Sequence, residues 1–202
     1  CNTASAKALR SIQLNDLERL DPNRRVLGII RPTVESIGGM TCTGHVGVLA
    51  TEGTILSNSY PMEVKKLFPE IEVTGQACPL WVPLVENNEA ESSGADYFVK
   101  KYIDALLQKD PKIDTVILGC THYPLLLEKI QTYMPEGIRV ICQGEYVAAS
   151  LMDYLHRHPE MDERCSKGGQ CRFYTTESVE KFVNSANLFL NESVDVHHTA
   201  LG

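Results

Sequence analysis

The sequence predicts an α/β protein with a largely parallel sheet, and three observations indicate this class. Short apolar runs such as 45–51 and 115–120 recur along the chain. They alternate with amphipathic segments of about ten or more residues, which is the pattern of βαβ units. With 202 residues, 43% of them hydrophobic, the chain is also long enough to bury the core that such a sheet needs.

The first half of the chain supplies a helix, three strands and a second helix. The helix predicted over 1–20 ends at Asp21-Pro22, because proline disfavours helical conformation in the residue before it. Short apolar runs with β-branched residues predict strands over 26–30, 45–51 and 71–77. Apolar side chains at helical spacing predict a helix over 94–109.

The second half alternates regularly between strand and helix. Strands are predicted over 115–120, 138–143, 171–176 and 194–198. Amphipathic helices are predicted over 123–134, 145–158 and 178–191. Because the chain returns to a strand after each helix, we expect parallel strands, with ligands bound beyond their carboxyl ends.

Charge and hydropathy exclude several classes of protein. The net charge of −7 argues against a nucleic-acid surface, which needs a basic face, and against a basic membrane-surface helix. The apolar runs are too short to span a bilayer. The seven cysteines are odd in number and lack the spacing of a disulfide framework, and the sequence shows no secretion signal. We therefore expect free thiols and a cytoplasmic protein that binds neither nucleic acid nor membrane.

Two of these cysteines lie in similar turns. Cys120, in "GCTHYP", follows a predicted strand and precedes a helix, and Cys1, in "CNTASA", also precedes a helix. The positive end of a helix dipole and its unpaired backbone N–H groups favour a thiolate, so each turn predicts a lowered thiol pKa and a place for a carboxylate. A structural cysteine beside a helix N-cap is the alternative for either turn alone.

The two turns together indicate a proton-transfer site. If the thiols face each other across a cleft, one can remove a proton from one face of a carbon while the other delivers a proton to the opposite face. This arrangement suits racemisation or epimerisation next to a carboxylate.

The segments around both cysteines resemble a known family. "CNTASA" and "LGCTHYPLL" are similar to the two signature segments of bacterial glutamate racemases, in the aspartate/glutamate racemase superfamily. "GVLATEGTILSNSY", "ACPLWVPLVE" and "FYTTESVEKF" resemble its middle and C-terminal segments, so the resemblance covers nearly the whole chain. His122 favours the glutamate enzymes over the aspartate branch, which tends to carry an acidic residue at that position.

The resemblance implies a fold and an activity. It implies a cofactor-independent racemase that interconverts L- and D-glutamate and supplies D-glutamate for peptidoglycan, with no metal and as a homodimer. It also implies two pseudo-symmetric three-layer αβα domains with mostly parallel sheets and the active site in the cleft between them. One domain would comprise residues 1–25 and 142–202, and the other residues 26–141.

The resemblance also assigns site residues. Cys1 would take the α-proton of D-glutamate and Cys120 that of L-glutamate. Glu86 and His122 would assist proton transfer as further catalytic residues. The substrate-binding positions that it implies are Asn2, Thr3, Thr51, Thr54, Thr121 and His122.

Two departures from the family pattern stand out. The family's N-terminal third, with an Asp-Ser-Gly turn and a Tyr-Gly pair that contact substrate, has no counterpart in these 202 residues, so we expect them to be inactive alone. Where many members carry Asp-Ser-Gly after a late strand, this sequence has Cys142-Gln143-Gly144.

Three other functions stay open. A mature N-terminal cysteine is the nucleophile of some amidohydrolases, although this hypothesis leaves the Cys120 turn without a role. A non-enzymatic protein that binds a dicarboxylate at helix N-termini would need no thiolates. A racemase of aspartate or a related amino acid would use the same chemistry. A metal site is not favoured, because no standard ligand spacing is met by Cys42, His45, His156, His158, Cys165 and Cys171.

Overall fold

The computed structural model describes residues 1–190 and 192–200. The chain forms two compact units, Cys1–Met152 and Asp153–Gly202. Both contain parallel strands with helices between them, which confirms the predicted α/β class. Within the described residues, no helix is both long and apolar enough to cross a membrane.

The first unit opens with a helical segment, as predicted for 1–20. It consists of α1 (Asn2–Lys7), α2 (Leu9–Ser11), a π-helical turn (Ile12–Asp16) and α3 (Leu17–Leu20).

The strand predicted over 26–30 is wrong. Residues 21–29 are irregular and lead directly into α4 (Ile30–Ile37). The backbone of this segment is hydrogen-bonded to polar side chains of the first helical segment and not to a neighbouring strand. Gln13 donates from Nε2 to the Val26 carbonyl (2.7 Å), and the Ile29 N–H donates to the Ser5 hydroxyl (3.4 Å).

The remaining elements of the first unit alternate between strand and helix. In chain order they are β1 (His45–Ala50), α5 (Glu52–Leu56), α6 (Ser59–Leu67), β2 (Glu72–Ala77), α7 (Trp81–Glu86), α8 (Ser93–Lys109), β3 (Thr115–Gly119), a 3₁₀ turn (Tyr123–Leu126), α9 (Leu127–Tyr133), β4 (Arg139–Cys142) and α10 (Gly144–Arg157), whose residues after Met152 belong to the second unit. The four strands form one parallel sheet in the order β2-β1-β3-β4. All four were predicted, as were α8, α9 and α10.

The core lies on both faces of this sheet. On one face, Val46 and Val48 of β1 pack with Val34 of α4 and Val64 of α6 in one buried cluster. The other face is covered by α8, and a Cβ added at Gly47 would lie only 2.7 Å from Cδ2 of Leu106. Because successive strand residues face opposite sides, the sheet is buried between two helical layers.

The order of the strands places a crevice between β1 and β3. These two strands are neighbours, with Ala50 opposite Gly119 at their carboxyl ends. The chain leaves β1 toward β2 on one side of the sheet, and it leaves β3 toward β4 on the other side. Such a switch point is where open α/β sheets bind ligands.

The second unit is a small βαβ arrangement. After α11 (Pro159–Asp162), it contains β5 (Phe173–Thr175), α12 (Val179–Leu190) and β6 (Val196–His198). The two strands pair in parallel, with Phe173 opposite Val196. The predicted strand, helix and strand are therefore confirmed, and residue 191, the last of the predicted helix, lies outside the described residues.

Candidate active site

Each strand of the large sheet delivers one polar residue to the same edge. Thr51 follows β1, Cys78 follows β2, Cys120 follows β3 and Gln143 follows β4. Because all four strands are parallel, these residues lie together at the carboxyl edge of the sheet. The crevice between β1 and β3 lies between Thr51 and Cys120.

Cys120 is a buried thiol beside a histidine. Only 8% of the residue is exposed, and its Sγ lies 3.9 Å from Nδ1 of His122. Burial raises the pKa of the thiol, and the backbone N–H groups of His122 and Tyr123 lower it by less than burial raises it. The prediction of a lowered pKa for Cys120 is therefore wrong, because the turn that supplies the N–H groups also removes the thiol from water. A raised pKa favours the protonated thiol, which can act as an acid.

His122 connects Cys120 to Glu86. Nε2 of His122 lies 3.1 Å from Oε1 of Glu86. A carboxylate accepts a hydrogen from Nε2, so this contact favours the tautomer in which Nδ1 is free of hydrogen and can accept from the Cys120 thiol. The Glu86 side chain is 54% exposed, so water screens its charge.

A buried aromatic cluster fixes the helix that carries Glu86. Trp81, at the start of α7, is completely buried and donates from Nε1 to the Phe98 carbonyl (3.2 Å). Its ring meets the Tyr123 ring edge-on at 4.7 Å between centroids. The Tyr123 hydroxyl donates in turn to the Cys78 carbonyl (3.2 Å). These contacts hold α7 against the turn that contains His122.

The Cys1 turn lies near Cys120 in space. Cys1 is exposed and caps α1, where its carbonyl accepts from the Ser5 N–H (3.0 Å). The residues next to it contact the ends of two strands: Asn2 binds Gln143 after β4 (2.6 Å), and Thr3 Oγ1 lies 2.9 Å from Thr51 Oγ1 after β1. The structure thus brings the two cysteine turns to one end of the sheet.

Three threonine hydroxyls converge where α1 packs on α5. Thr3 Oγ1 lies 2.9 Å from Thr51 Oγ1 and 3.4 Å from Thr54 Oγ1, and the latter two hydroxyls are 3.1 Å apart. Each hydroxyl can donate one hydrogen bond and accept two, so the hydroxyls of the cluster can reorient and donate to a bound carboxylate. Thr121 lies in the exposed turn between Cys120 and His122.

Asn2 is placed differently from the implied substrate contacts. It is 2% exposed and takes part in buried hydrogen bonds with Gln143 (2.6 Å) and Tyr60 (2.7 Å). Sequence reasoning did not select Tyr60 or Gln143 as site residues. The only signal was the departure at Cys142-Gln143-Gly144 from the family pattern.

The side chains described at this site carry thiols, hydroxyls, one imidazole and the Glu86 carboxylate. All seven cysteines lie among the described residues and are free thiols. In the part of the chain that the structure describes, no group of three His, Cys, Asp or Glu side chains is arranged to hold a metal ion.

Comparison with known proteins gives one consistent result. The model of the family described as Asp/Glu/Hydantoin racemase matches residues 20–151. A glutamate racemase of Listeria monocytogenes is 40% identical over 206 residues, and one of Streptococcus uberis is 38% identical over 201 residues. Each match covers 100% of this chain and 73% of the relative.

Solved structures agree with the sequence matches. A glutamate racemase from Bacillus anthracis has a TM-score of 0.86 at 32% identity, and the likeness covers 100% of this chain and 72% of that one. A glutamate racemase from Francisella tularensis in complex with D-glutamate has a TM-score of 0.80 at 27% identity, over 100% and 71% of the two chains. With a family model that matches most of its length and relatives at this level of identity, the chain belongs to the Asp/Glu/Hydantoin racemase family.

Proposed function

We propose that this protein is a racemase that interconverts L- and D-glutamate by proton transfer at Cα between two thiols, without an added cofactor. The observation that carries the proposal is that the Cys1 turn, 119 positions before Cys120 in the sequence, lies at the carboxyl edge of the same sheet, where Asn2 contacts Gln143 and Thr3 contacts Thr51. The relatives that match the whole chain are named glutamate racemases. We expect the D-glutamate produced to serve peptidoglycan synthesis.

Each turnover moves one proton off Cα and another onto it. With D-glutamate bound, the Cys1 thiolate takes the α-proton and becomes a thiol, and Cα becomes a carbanion. The Cys120 thiol then donates its proton to the opposite face of Cα and becomes a thiolate, which yields L-glutamate. The reverse reaction uses the same two groups in exchanged roles, so one thiol must be ionised and the other protonated in each resting state.

Glu86 and His122 support the change of charge on Cys120. When Cys120 must act as a base, Nδ1 of His122 can accept the thiol proton over a separation of 3.9 Å. Glu86 at 3.1 Å from Nε2 then stabilises the resulting imidazolium. Because burial raises the pKa of Cys120, this assistance is needed more for the base role than for the acid role.

The threonine cluster is our candidate for binding a substrate carboxylate. Thr3, Thr51 and Thr54 present hydroxyls at the end of the sheet where the cysteine turns lie. Thr121 and the second N–H of Asn2 are further candidate contacts. An α-carboxylate bound by several donors also stabilises the negative charge that develops at Cα.

Three further assignments are proposals. We propose domains of residues 1–25 with 142–202 and of residues 26–141, with the active site in the cleft between them, on the strength of the family resemblance. We propose a homodimer, which light scattering on the full-length gene product would test. We propose a cytoplasmic location, which the free thiols support.

The direct test follows the optical rotation of glutamate. The full-length gene product should interconvert both enantiomers in buffer without pyridoxal phosphate. Cys120→Ser should abolish the activity, whereas Cys42→Ser, an exposed thiol at the amino edge of the sheet, should leave it unchanged. Activity that depends on added pyridoxal phosphate, or that survives Cys120→Ser, would contradict the proposal.

The same variants separate the rival functions. An amidohydrolase with Cys1 as nucleophile would keep its activity in Cys120→Ser. A dicarboxylate-binding protein would bind glutamate without converting it. A panel of glutamate, aspartate and related amino acids tests the aspartate racemase alternative, for which turnover of aspartate should exceed that of glutamate.

A further inference from the structure

Three buried side chains close a ring of hydrogen bonds near the two cysteine turns. Asn2 donates from Nδ2 to Oε1 of Gln143 (2.6 Å). Gln143 donates from Nε2 to the Tyr60 hydroxyl oxygen (2.8 Å), and the Tyr60 hydroxyl donates to Oδ1 of Asn2 (2.7 Å). Each side chain therefore donates to one neighbour and accepts from the other.

A fourth side chain fixes the direction of this ring. Gln143 also donates from Nε2 to Oγ1 of Thr33 (2.8 Å), and the Thr33 hydroxyl donates to the Ile29 carbonyl (2.9 Å). Because the only hydroxyl hydrogen of Thr33 is used by this carbonyl, Oγ1 can only accept from Gln143. The nitrogen of the Gln143 amide must therefore face Thr33 and Tyr60, which leaves its oxygen for Asn2.

The ring connects the elements that carry the two thiols. Asn2 follows Cys1 and is the first residue of α1. Tyr60 lies against the residue before Cys120, since a Cβ added at Gly119 would be 3.4 Å from Cε2 of Tyr60. Gln143 follows β4, the neighbour of β3 in the sheet. Of these residues, Gln143 is 7% exposed and Asn2 2%, so water does not replace the lost bonds when one of them is removed.

We propose that Gln143 is a positioning residue, which holds Asn2 and through it the backbone of Cys1 at a fixed place relative to Cys120. The proposal rests on the racemase function proposed above. The ring uses the carbonyl oxygen and one N–H of Asn2. Both thiols must reach the same carbon, so a Cys1 turn that loses its support lowers the turnover number more than it changes KM.

Two substitutions at Gln143 probe the ring in different ways. Gln143→Leu keeps a side chain of similar size and removes every hydrogen bond. Gln143→Glu keeps the shape, but an ionised carboxylate has no hydrogen for Tyr60 or Thr33, whereas a protonated carboxyl can donate to one of them. The matched control is Gln76→Glu at the end of β2, where Gln76 donates only to the adjacent Ala77 carbonyl (2.6 Å).

The first measurement is the pH profile of racemisation by the full-length gene product. We expect kcat of Gln143→Leu to fall about tenfold or more at every pH, in line with the loss of one or more buried hydrogen bonds. We expect Gln143→Glu to lose activity as the pH rises and the buried carboxyl ionises, and to recover part of it at lower pH. Gln76→Glu should keep the wild-type profile. A Gln143→Glu profile parallel to that of the wild type would overturn the proposal.

The second measurement does not depend on activity. Amide hydrogen exchange, read by mass spectrometry, should be about tenfold faster over residues 3–8 in both Gln143 variants, and unchanged over β1. If the wild type shows no racemisation, the proposed function fails, and exchange over α1 still tests the ring. Wild-type exchange over α1 in both variants would refute the ring as the support of α1.

A third variant decides the matter if Gln143→Leu fails to fold. Tyr60→Phe keeps the buried aromatic ring and removes only the hydroxyl that accepts from Gln143 and donates to Asn2 in the ring. We expect it to fold, to lower kcat and to accelerate exchange over α1. Wild-type kcat in Tyr60→Phe would overturn the proposal.

Discussion

The carboxylate of Asp114 is predicted to stabilise the amino edge of the large sheet, and its contribution should depend on pH. Asp114 precedes β3 and accepts from the Thr41 hydroxyl (2.6 Å) and from the backbone N–H groups of Cys42 (2.6 Å) and Thr43 (2.8 Å). It thereby fixes the loop before β1 against the start of β3. These are the two strands that carry Thr51 and Cys120 at their other ends.

The size of this contribution follows from the pKa of the carboxyl. Burial raises the pKa of Asp114, but the hydrogen bonds from Thr41, Thr43 and Cys42 together outweigh it and lower the pKa from 3.8 to about 2. A lowered folded-state pKa means that folding favours the ionised form. Linkage converts the difference into about 2 kcal/mol of folding free energy at neutral pH. This stabilisation is fully present above the unfolded pKa near 4 and disappears as the pH falls through about 2.

The assay compares urea unfolding of the wild type and Asp114→Asn at several pH values. At pH 7 the asparagine variant should be less stable by about 2 kcal/mol, because its single carbonyl oxygen cannot serve three donors. Between about pH 4 and pH 2 the difference should shrink as the wild-type carboxyl becomes protonated. A matched control is Asp104→Asn, an exposed carboxylate on α8 that pairs only with Lys100, which should change stability by well under about 1 kcal/mol. A difference at Asp114 that is absent at pH 7, or that persists unchanged to pH 2, would refute the reasoning.

Two further predictions concern the site. Glu86→Gln should reduce kcat by about tenfold or less, because the half-exposed carboxylate of Glu86 stabilises the His122 imidazolium only through an interaction that water screens. High salt should reduce the wild-type rate toward that of the variant. A rate that responds to neither change would exclude this role for Glu86. Thr51→Val should raise KM for glutamate by about tenfold with a smaller change in kcat, because valine keeps the shape of the side chain and lacks the hydroxyl that lies 2.9 Å from that of Thr3. Steady-state kinetics measure both constants, and an unchanged KM would show that Thr51 does not bind the substrate carboxylate.

The strands of the large sheet could be predicted because their apolar runs are buried on both faces. β1 and β3 are almost entirely buried, so their sequences are continuous apolar runs bounded by polar turns. The run 26–30 is also apolar, yet it forms no strand. A strand needs a neighbouring strand to pair with, and the composition of a segment does not show whether one is present. The helices α4, α5, α6 and α7 were not predicted, since each is shorter than ten residues and its apolar pattern covers too few turns.

In the site, too, contacts between residues close in sequence could be predicted, and contacts between distant residues could not. The pairs Cys120–His122 and Thr51–Thr54 lie within a few residues of each other, so their motifs carry them. Glu86 contacts His122 across 36 positions, and only the family resemblance pointed to Glu86. The bond between Asn2 and Gln143 spans 141 positions, and neither residue type indicates the other. The pKa of Cys120 was predicted in the wrong direction, because the depth of burial is a property of the assembled fold.

Deuterium incorporation during racemisation tests the two-thiol mechanism most directly. In D2O, the full-length gene product should convert D-glutamate into L-glutamate that carries deuterium at Cα, because the second thiol has exchanged its proton with solvent. Early in the reaction the remaining D-glutamate should still carry protium, and the same should hold with the enantiomers exchanged. L-glutamate that retains the original α-proton would show that one base serves both faces of Cα, and this result would contradict the roles assigned to Cys1 and Cys120.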